Sequence, residues 1–118
     1  MQFDVDVSQV GCTQVQGIYL VALDDDNCSW SAKNSAPSCP TMEVMEANTI
    51  GFRAAQRPCD AADCSDSQEQ SVTGTQYGPG SSYDIDSTQP YKVAVKFYAQ
   101  MDQDGNLGEL ERLETILT

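Results

Sequence analysis

Hydrophobic and polar residues alternate with a period of two in two stretches of the chain. Near the N-terminus, Phe3, Val5 and Val7 alternate with two aspartates in "FDVDV". In "YKVAVKFYAQ", residues 91–100, one face carries Tyr91, Val93, Val95 and Phe97, and the other carries Lys92, Ala94, Lys96 and Tyr98. Since successive side chains of a strand point to opposite sides, this alternation predicts two half-buried strands.

Two further stretches predict strands on less regular patterns. "GIYLVAL", residues 17–23, is a continuous apolar run that ends at three aspartates, so it predicts a more buried strand. "GELERLETILT", residues 108–118, spaces its leucines and its isoleucine as a helix would. The Asp-Gly turn of "MDQDGN" directly follows the strand at 91–100, however, and such a turn favours a hairpin. We therefore predict a strand at the C-terminus.

The middle of the chain is less regular. Residues 24–40 are polar and predict a loop. Residues 41–56 are ambiguous, because Met42 and Met45 suit a helix that the following polar residues and glycine would interrupt after two turns. Residues 57–82 are rich in Ser, Gly, Gln and Asp and predict a long loop, of the kind that is functional or pinned by disulfides. Together these patterns predict an antiparallel, mostly-β chain.

The charge balance argues against a nucleic-acid partner, and the lengths of the apolar runs argue against a membrane span. The chain has 6 basic and 18 acidic residues, no histidine and a net charge of −12. Such a chain repels phosphate backbones, so no nucleic-acid partner is expected. The acidic residues occur in short groups, which is typical of a solvated surface. No apolar run reaches the roughly 20 residues that cross a bilayer, so no membrane span is expected either.

The cysteines indicate disulfides rather than a metal. With no histidine and no C-x-x-C pair, a zinc site would need four separate cysteines, so neither a metal nor a cofactor is expected. Disulfides in turn favour an extracellular or other oxidising, secretory compartment. The number is odd, so one cysteine is free or has its partner outside this chain. The five are Cys12, Cys28, Cys39, Cys59 and Cys64.

Four stretches together carry a resemblance to a known family. In chain order they are "FDVDVSQVGC" (3–12), "GIYLVALD" (17–24), "MEVMEANTI" (42–50) and "YGPGSSYDID" (77–86). In this order they resemble the cellulose-degrading glycoside hydrolases of family 7, the cellobiohydrolases and endoglucanases, and the ending "DGNLGELERL" is similar to an endoglucanase-type strand. The resemblance covers most of this chain but only a minor, central part of the family's catalytic domain. It implies a single family-7-like domain over residues 1–118, in a truncated or reduced version.

The resemblance implies a fold and a set of catalytic positions. The fold is an antiparallel β-sandwich (a concanavalin-like jelly roll, or part of one) with long disulfide-pinned loops, and it binds a β-1,4-glucan chain along a concave face. The family's active strand reads Glu-x-Asp-x-x-Glu, for the nucleophile, an assisting Asp and the acid/base. Aligned on "EAN", Glu46 takes the acid/base position, Glu43 takes that of the assisting Asp, and Thr41 falls at the nucleophile.

Three further residues are substrate-binding candidates through the same resemblance. Tyr19 matches a tyrosine near the nucleophile, Met45 stands at a tryptophan of the active strand, and Arg57 replaces the histidine of a His-Pro-Cys motif. Judged from residue type alone, Met45 is a packing residue. The resemblance also implies the disulfides Cys28–Cys39 and Cys59–Cys64, and it places the partner of Cys12 beyond the end of this chain.

Chemistry limits what these residues can do. Retaining hydrolysis needs two carboxylates about 5 Å apart. Residues three apart on a regular strand point to opposite faces, so Glu43 and Glu46 share a cleft only where a bulge shifts the register. The hydroxyl of Thr41 needs a general base to act as a nucleophile, and the chain has no histidine to serve.

Three interpretations follow from the sequence. The chain is a weak β-1,4-glucan hydrolase with Glu46 as acid/base, or a catalytically dead relative, or a small acidic interaction domain without a carbohydrate role. The dead relative would bind glucan or serve as a structural subunit with a protein partner. Because the nucleophile position is altered, we expect little or no hydrolysis by this chain alone.

Overall fold

The regular secondary structure of the described residues consists of nine β-strands. The computed structural model describes residues 1–21, 39, 41–57, 68–72 and 74–118. The strands are β1 (Gln2–Val5), β2 (Gln16–Val21), β3 (Thr41–Ala47), β4 (Phe52–Arg57), β5 (Gln68–Val72), β6 (Tyr77–Gly78), β7 (Ile85–Asp86), β8 (Tyr91–Met101) and β9 (Leu107–Leu117). Over these residues, no helix has the length and apolar character needed to cross a membrane.

The strands form two antiparallel sheets and one short pair. One sheet has the order β2-β3-β4-β5 and the other the order β1-β8-β9, whereas β6 and β7 pair in parallel. The strands predicted at both ends of the chain are thus confirmed. So is the C-terminal hairpin, since β9 pairs antiparallel with β8. At its turn, Gly105 adopts a φ of +82° and Asp102 accepts the N–H groups of Asp104 and Asn106.

The core lies between the two sheets, and the alternating residues of β1 and β8 line it. Tyr91, Val93 and Val95 are buried, while Lys92 and Lys96 on the other face are exposed. β1, β3, β4 and β6 contribute the remaining strand residues of the core, and Val7 follows β1. These residues are Val5, Val7, Val44, Met45, Ala47, Phe52 and Tyr77. The sequence pattern therefore predicts the buried face of β8 correctly as far as Val95.

Tyr77 ties the two sheets together at the centre of this core. Its ring packs against Phe52 of β4 at 6.1 Å and edge-on against Tyr91 of β8 at 5.7 Å. Its hydroxyl lies 2.9 Å from the carbonyl oxygen of Asn48 and 3.0 Å from the Tyr91 hydroxyl. One side chain thus connects β8 to the turn between β3 and β4.

Several predictions on the middle of the chain are wrong. The pattern at 41–56 was ambiguous, and residues 41–47 form a strand, as the resemblance implied. The predicted loop at 57–82 is interrupted, because it contains β5 and β6. The strand within "GIYLVAL" is not deeply buried, and Leu20 is 43% exposed, because β2 lies at the edge of its sheet in the part of the chain that the structure describes. Phe97 is 45% exposed because β1 pairs with β8 only as far as Ala94.

The cysteines are described only in part. Cys12 is free and exposed. Cys39 is buried and disulfide-bonded. The predicted pairings Cys28–Cys39 and Cys59–Cys64 involve cysteines that lie outside the described residues.

Candidate active site

A β-bulge interrupts β3 between Glu43 and Glu46. The register with β4 shifts between these two residues, and the register with β2 shifts at the same height. Within the bulge, the consecutive residues Val44 and Met45 are both buried, with 2% and 0% exposure. Because one extra residue resets the alternation, Glu43 and Glu46 point to the same face of the sheet. The condition that the sequence set for these two carboxylates to share a cleft is met.

Arg53 of β4 joins the two carboxylates. It is the direct cross-strand partner of Glu46. Its Nη2 atom lies 3.3 Å from Oε2 of Glu43 and also contacts Oε2 of Glu46, while its Nη1 atom lies 3.3 Å from Oε2 of Glu69 on β5. Burial alone would lower the pKa of Arg53, but the hydrogen bond to Glu46 and the charges of the three carboxylates outweigh it and raise that pKa.

Tyr19 of β2 bonds to the other oxygen of Glu46. Its hydroxyl donates to Oε1 at 2.5 Å. This hydrogen bond, together with burial and the negative charge of Glu46 and Glu43, raises the pKa of Tyr19 to about 12. Glu46 therefore accepts from a different donor at each oxygen, Tyr19 at one and Arg53 at the other. The site opens onto a depression of about 380 Å³, whose lining includes Glu46, Asn48, Arg53 and Ser71.

The remaining predicted site residues lie on β3 and β4. Thr41 stands two residues before Glu43, so both point to one face, and it pairs across the sheet with Arg57. The Thr41 hydroxyl donates to the carbonyl oxygen of Cys39 at 2.9 Å, an acceptor that cannot serve as a general base. Arg57 is described at the backbone only.

Met45 is a core position in this structure. It has no exposed surface and belongs to the buried cluster. Its side chain therefore packs in the core, as its residue type suggests. Among the described residues, no group of three or more His, Cys, Asp or Glu side chains could hold a metal ion.

The site's arrangement depends on a turn that the sequence shows but whose role was missed. "ANTIGF" joins β3 to β4, and the side chain of Asn48 accepts the N–H groups of Ile50 and Gly51 at 2.8 and 3.0 Å. The sequence pattern left this segment ambiguous, with these residues as the interruption of a possible helix. As a hairpin turn, they place Arg53 opposite Glu46. This turn sequence is the signal that could have identified Arg53.

Comparison with solved structures identifies the fold. No protein-family model matches the chain. The endocellulase EGI of Humicola insolens matches with a TM-score of 0.70 at 16% identity, covering 98% of this chain and 40% of the endocellulase. A GH7-family cellobiohydrolase from Daphnia pulex matches with a TM-score of 0.70 at 18% identity, covering 98% of this chain and 42% of that enzyme. The chain has the fold of the family 7 glycoside hydrolases.

A further match is to an endoglucanase I solved in complex with cellobiose, with a TM-score of 0.64, 20% identity, and coverage of 98% of this chain and 40% of that one. The resemblance seen in the sequence and the predicted β-sandwich class are thereby confirmed. The chain spans about 40% of the length of these family 7 structures.

Proposed function

We propose that this chain carries a β-1,4-glucan-binding site of the family 7 type that hydrolyses glucan weakly or not at all. The observation that carries the proposal is the bulge in β3, which brings Glu43 and Glu46 to one face beside Tyr19. The choice of ligand is supported by the structural neighbours, which include an endocellulase, a cellobiohydrolase and an endoglucanase bound to cellobiose.

The contacts of the site favour binding over hydrolysis. Retaining hydrolysis needs one carboxylate as nucleophile and a second that gives a proton to the leaving oxygen. Thr41 stands at the nucleophile position and its hydroxyl is bonded to a main-chain carbonyl. Both oxygens of Glu46 accept bonds from Tyr19 and Arg53, which suits a hydrogen-bond acceptor better than a proton donor.

The proposed setting of this function is extracellular. The disulfide at Cys39 supports an oxidising compartment. The net charge of −12 supports a neutral rather than a polyanionic ligand, because like charges repel. A protein partner is proposed only for the alternative in which the chain serves as a structural subunit.

Calorimetric titration with cellotetraose and cellohexaose tests the proposal, with release of shorter sugars measured on the same samples. We expect saturable binding and no release above the blank. Glu46→Gln should weaken binding about 10-fold. The glutamine amide has one acceptor oxygen, whereas the carboxylate has two, one for Tyr19 and one for Arg53. Glu114→Gln is the matched control: Glu114 also accepts from a tyrosine, Tyr98 at 2.7 Å, but it is exposed on the β8–β9 hairpin.

Two results would contradict the proposal in different ways. If the folded protein binds neither oligosaccharide, the glucan-binding role is rejected and an interaction domain without a carbohydrate role takes its place. If sugar release is robust and is lost in Glu46→Gln but not in Glu114→Gln, the chain is a hydrolase with Glu46 as acid/base.

A further inference from the structure

Arg53 contacts both carboxylates of the site through a single nitrogen, and Glu69 through the other. We infer that Arg53 is the positioning residue of this site: it acts through Glu46, fixing that side chain as a hydrogen-bond acceptor for the hydroxyls of a neutral sugar. This inference rests on the proposed function. It assigns a role to a residue outside the active-strand motif.

Electrostatics explains why the carboxylates need such a residue. Glu43 is 8% exposed, and a buried carboxylate is costly unless it is paired. The bulge turns Glu46 to the same face, so two negative charges lie near one another at low dielectric. The guanidinium of Arg53 lies within hydrogen-bond reach of both and offsets their repulsion. Without it, the more exposed Glu46 side chain would turn away from Glu43.

The backbone makes Arg53 a rigid support. Direct pairing of Arg53 with Glu46 fixes the two Cα atoms across the β3–β4 ladder. The turn between the strands is closed by the side chain of Asn48 and by its backbone N–H, which donates to the carbonyl oxygen of Gly51 at 3.0 Å. A planar guanidinium can reach three carboxylates from this position, whereas an ammonium group acts as a single point charge.

The ligand chemistry follows from the acceptor sites that remain. A carboxylate has about four lone-pair directions over its two oxygens. Tyr19 and Arg53 each occupy one, at opposite oxygens, and fix the plane of the Glu46 carboxylate. The other directions are available to donors that enter the adjoining depression, and the hydroxyls of a neutral sugar are donors of this kind. Glu46 is thus oriented by two protein donors and offers its remaining acceptor directions to the ligand.

A double-mutant cycle on cellotetraose affinity tests this role. Arg53→Met should weaken binding about 10-fold, and Arg53→Lys should recover part of the loss. If Arg53 acts through Glu46, Arg53→Met should have little further effect in the Glu46→Gln background. Lys92→Met serves as control, because it removes an exposed cross-strand ion pair, to Asp4 at 2.6 Å, that belongs to the other sheet.

The outcomes separate this inference from the proposed function. Unchanged affinity of Arg53→Met, or full additivity with Glu46→Gln, overturns the positioning role while glucan binding by the unsubstituted protein stands. If the unsubstituted protein does not bind, the proposed function fails, and the same four proteins are compared by urea unfolding. If Arg53 and Glu46 show no coupling in the free energy of unfolding, the positioning of Glu46 by Arg53 is itself overturned. Circular dichroism establishes that each variant is folded.

Discussion

Tyr77→Phe is the most direct test of how the core supports the site. Tyr77 is 1% exposed, and its hydroxyl is within hydrogen-bond distance of Tyr91 and of the carbonyl oxygen of Asn48. The single hydroxyl proton of Tyr77 goes to the carbonyl, so Tyr91 donates to Tyr77. Burial, and next the hydrogen bond to Tyr77, raise the pKa of Tyr91, as expected for a buried donor. Removing the Tyr77 oxygen therefore removes two hydrogen bonds.

The expected cost follows from what the substitution leaves behind. Tyr91 is 6% exposed and would lose its acceptor, while the carbonyl of Asn48 would lose a donor. Leaving a buried polar group without its partner costs about 1–3 kcal/mol, so we expect the free energy of unfolding to fall by about 2 kcal/mol. Each kcal/mol corresponds to about 4 °C in the midpoint of thermal unfolding for a domain of this size.

Urea unfolding followed by circular dichroism measures this change. Tyr98→Phe is the matched control, since Tyr98 also donates a hydrogen bond, to Glu114 at 2.7 Å, but on an exposed surface. It should cost less than about 0.5 kcal/mol. The reasoning is refuted if Tyr77→Phe costs no more than the control. Because Asn48 begins the turn that leads to Arg53, Tyr77→Phe should also weaken cellotetraose binding, whereas Tyr98→Phe should not.

Two further predictions concern pH and the C-terminal turn. Tyr19 has its pKa raised from 10.0 to about 12, so the folded state retains this proton where the unfolded state has lost it. The resulting stability is complete below pH 10 and is lost as the pH rises towards 12. Tyr19→Phe should therefore make the free energy of urea unfolding less pH-dependent in that range. An unchanged pH dependence would contradict the hydrogen bond to Glu46. Gly105 has a φ of +82°, so Gly105→Ala should lower the free energy of unfolding by about 1 kcal/mol, whereas Gly11→Ala, with φ outside that region and open space around it, should have little effect. Equal costs for the two alanines would refute the turn argument.

The sequence predicts the strands whose environment is decided locally. The alternation in β1 and β8 requires one wet and one dry face, and the structure has both. Burial that depends on neighbouring strands was less predictable. Among the described strands, β2 has a partner on one side only, which leaves Leu20 exposed, and β1 is short, which leaves Phe97 exposed. No window of sequence around either residue contains that information.

The candidate site shows the same division. Glu43, Glu46 and Tyr19 were found through a motif, and the structure brings all three together. Arg53 and Glu69 were missed, because their contact with the site depends on cross-strand register and not on spacing along the chain. Met45 was assigned to the ligand by alignment alone, although its burial follows from the bulge.

The bulge itself has a sequence signature that this structure makes visible. In a regular strand, two adjacent residues cannot both face the core, so the pattern Glu-Val-Met-Glu at 43–46 conflicts with alternation. One extra residue resolves the conflict: it buries Val44 and Met45 together and, in the same step, turns both glutamates to the opposite face. The apolar pair at the centre therefore favours the geometry that the acidic pair needs. Burying the side chains of Val44 and Met45 stabilises the fold by about 1.5–3 kcal/mol each. The core can therefore hold the two carboxylates close together, provided that a cation such as Arg53 offsets their repulsion.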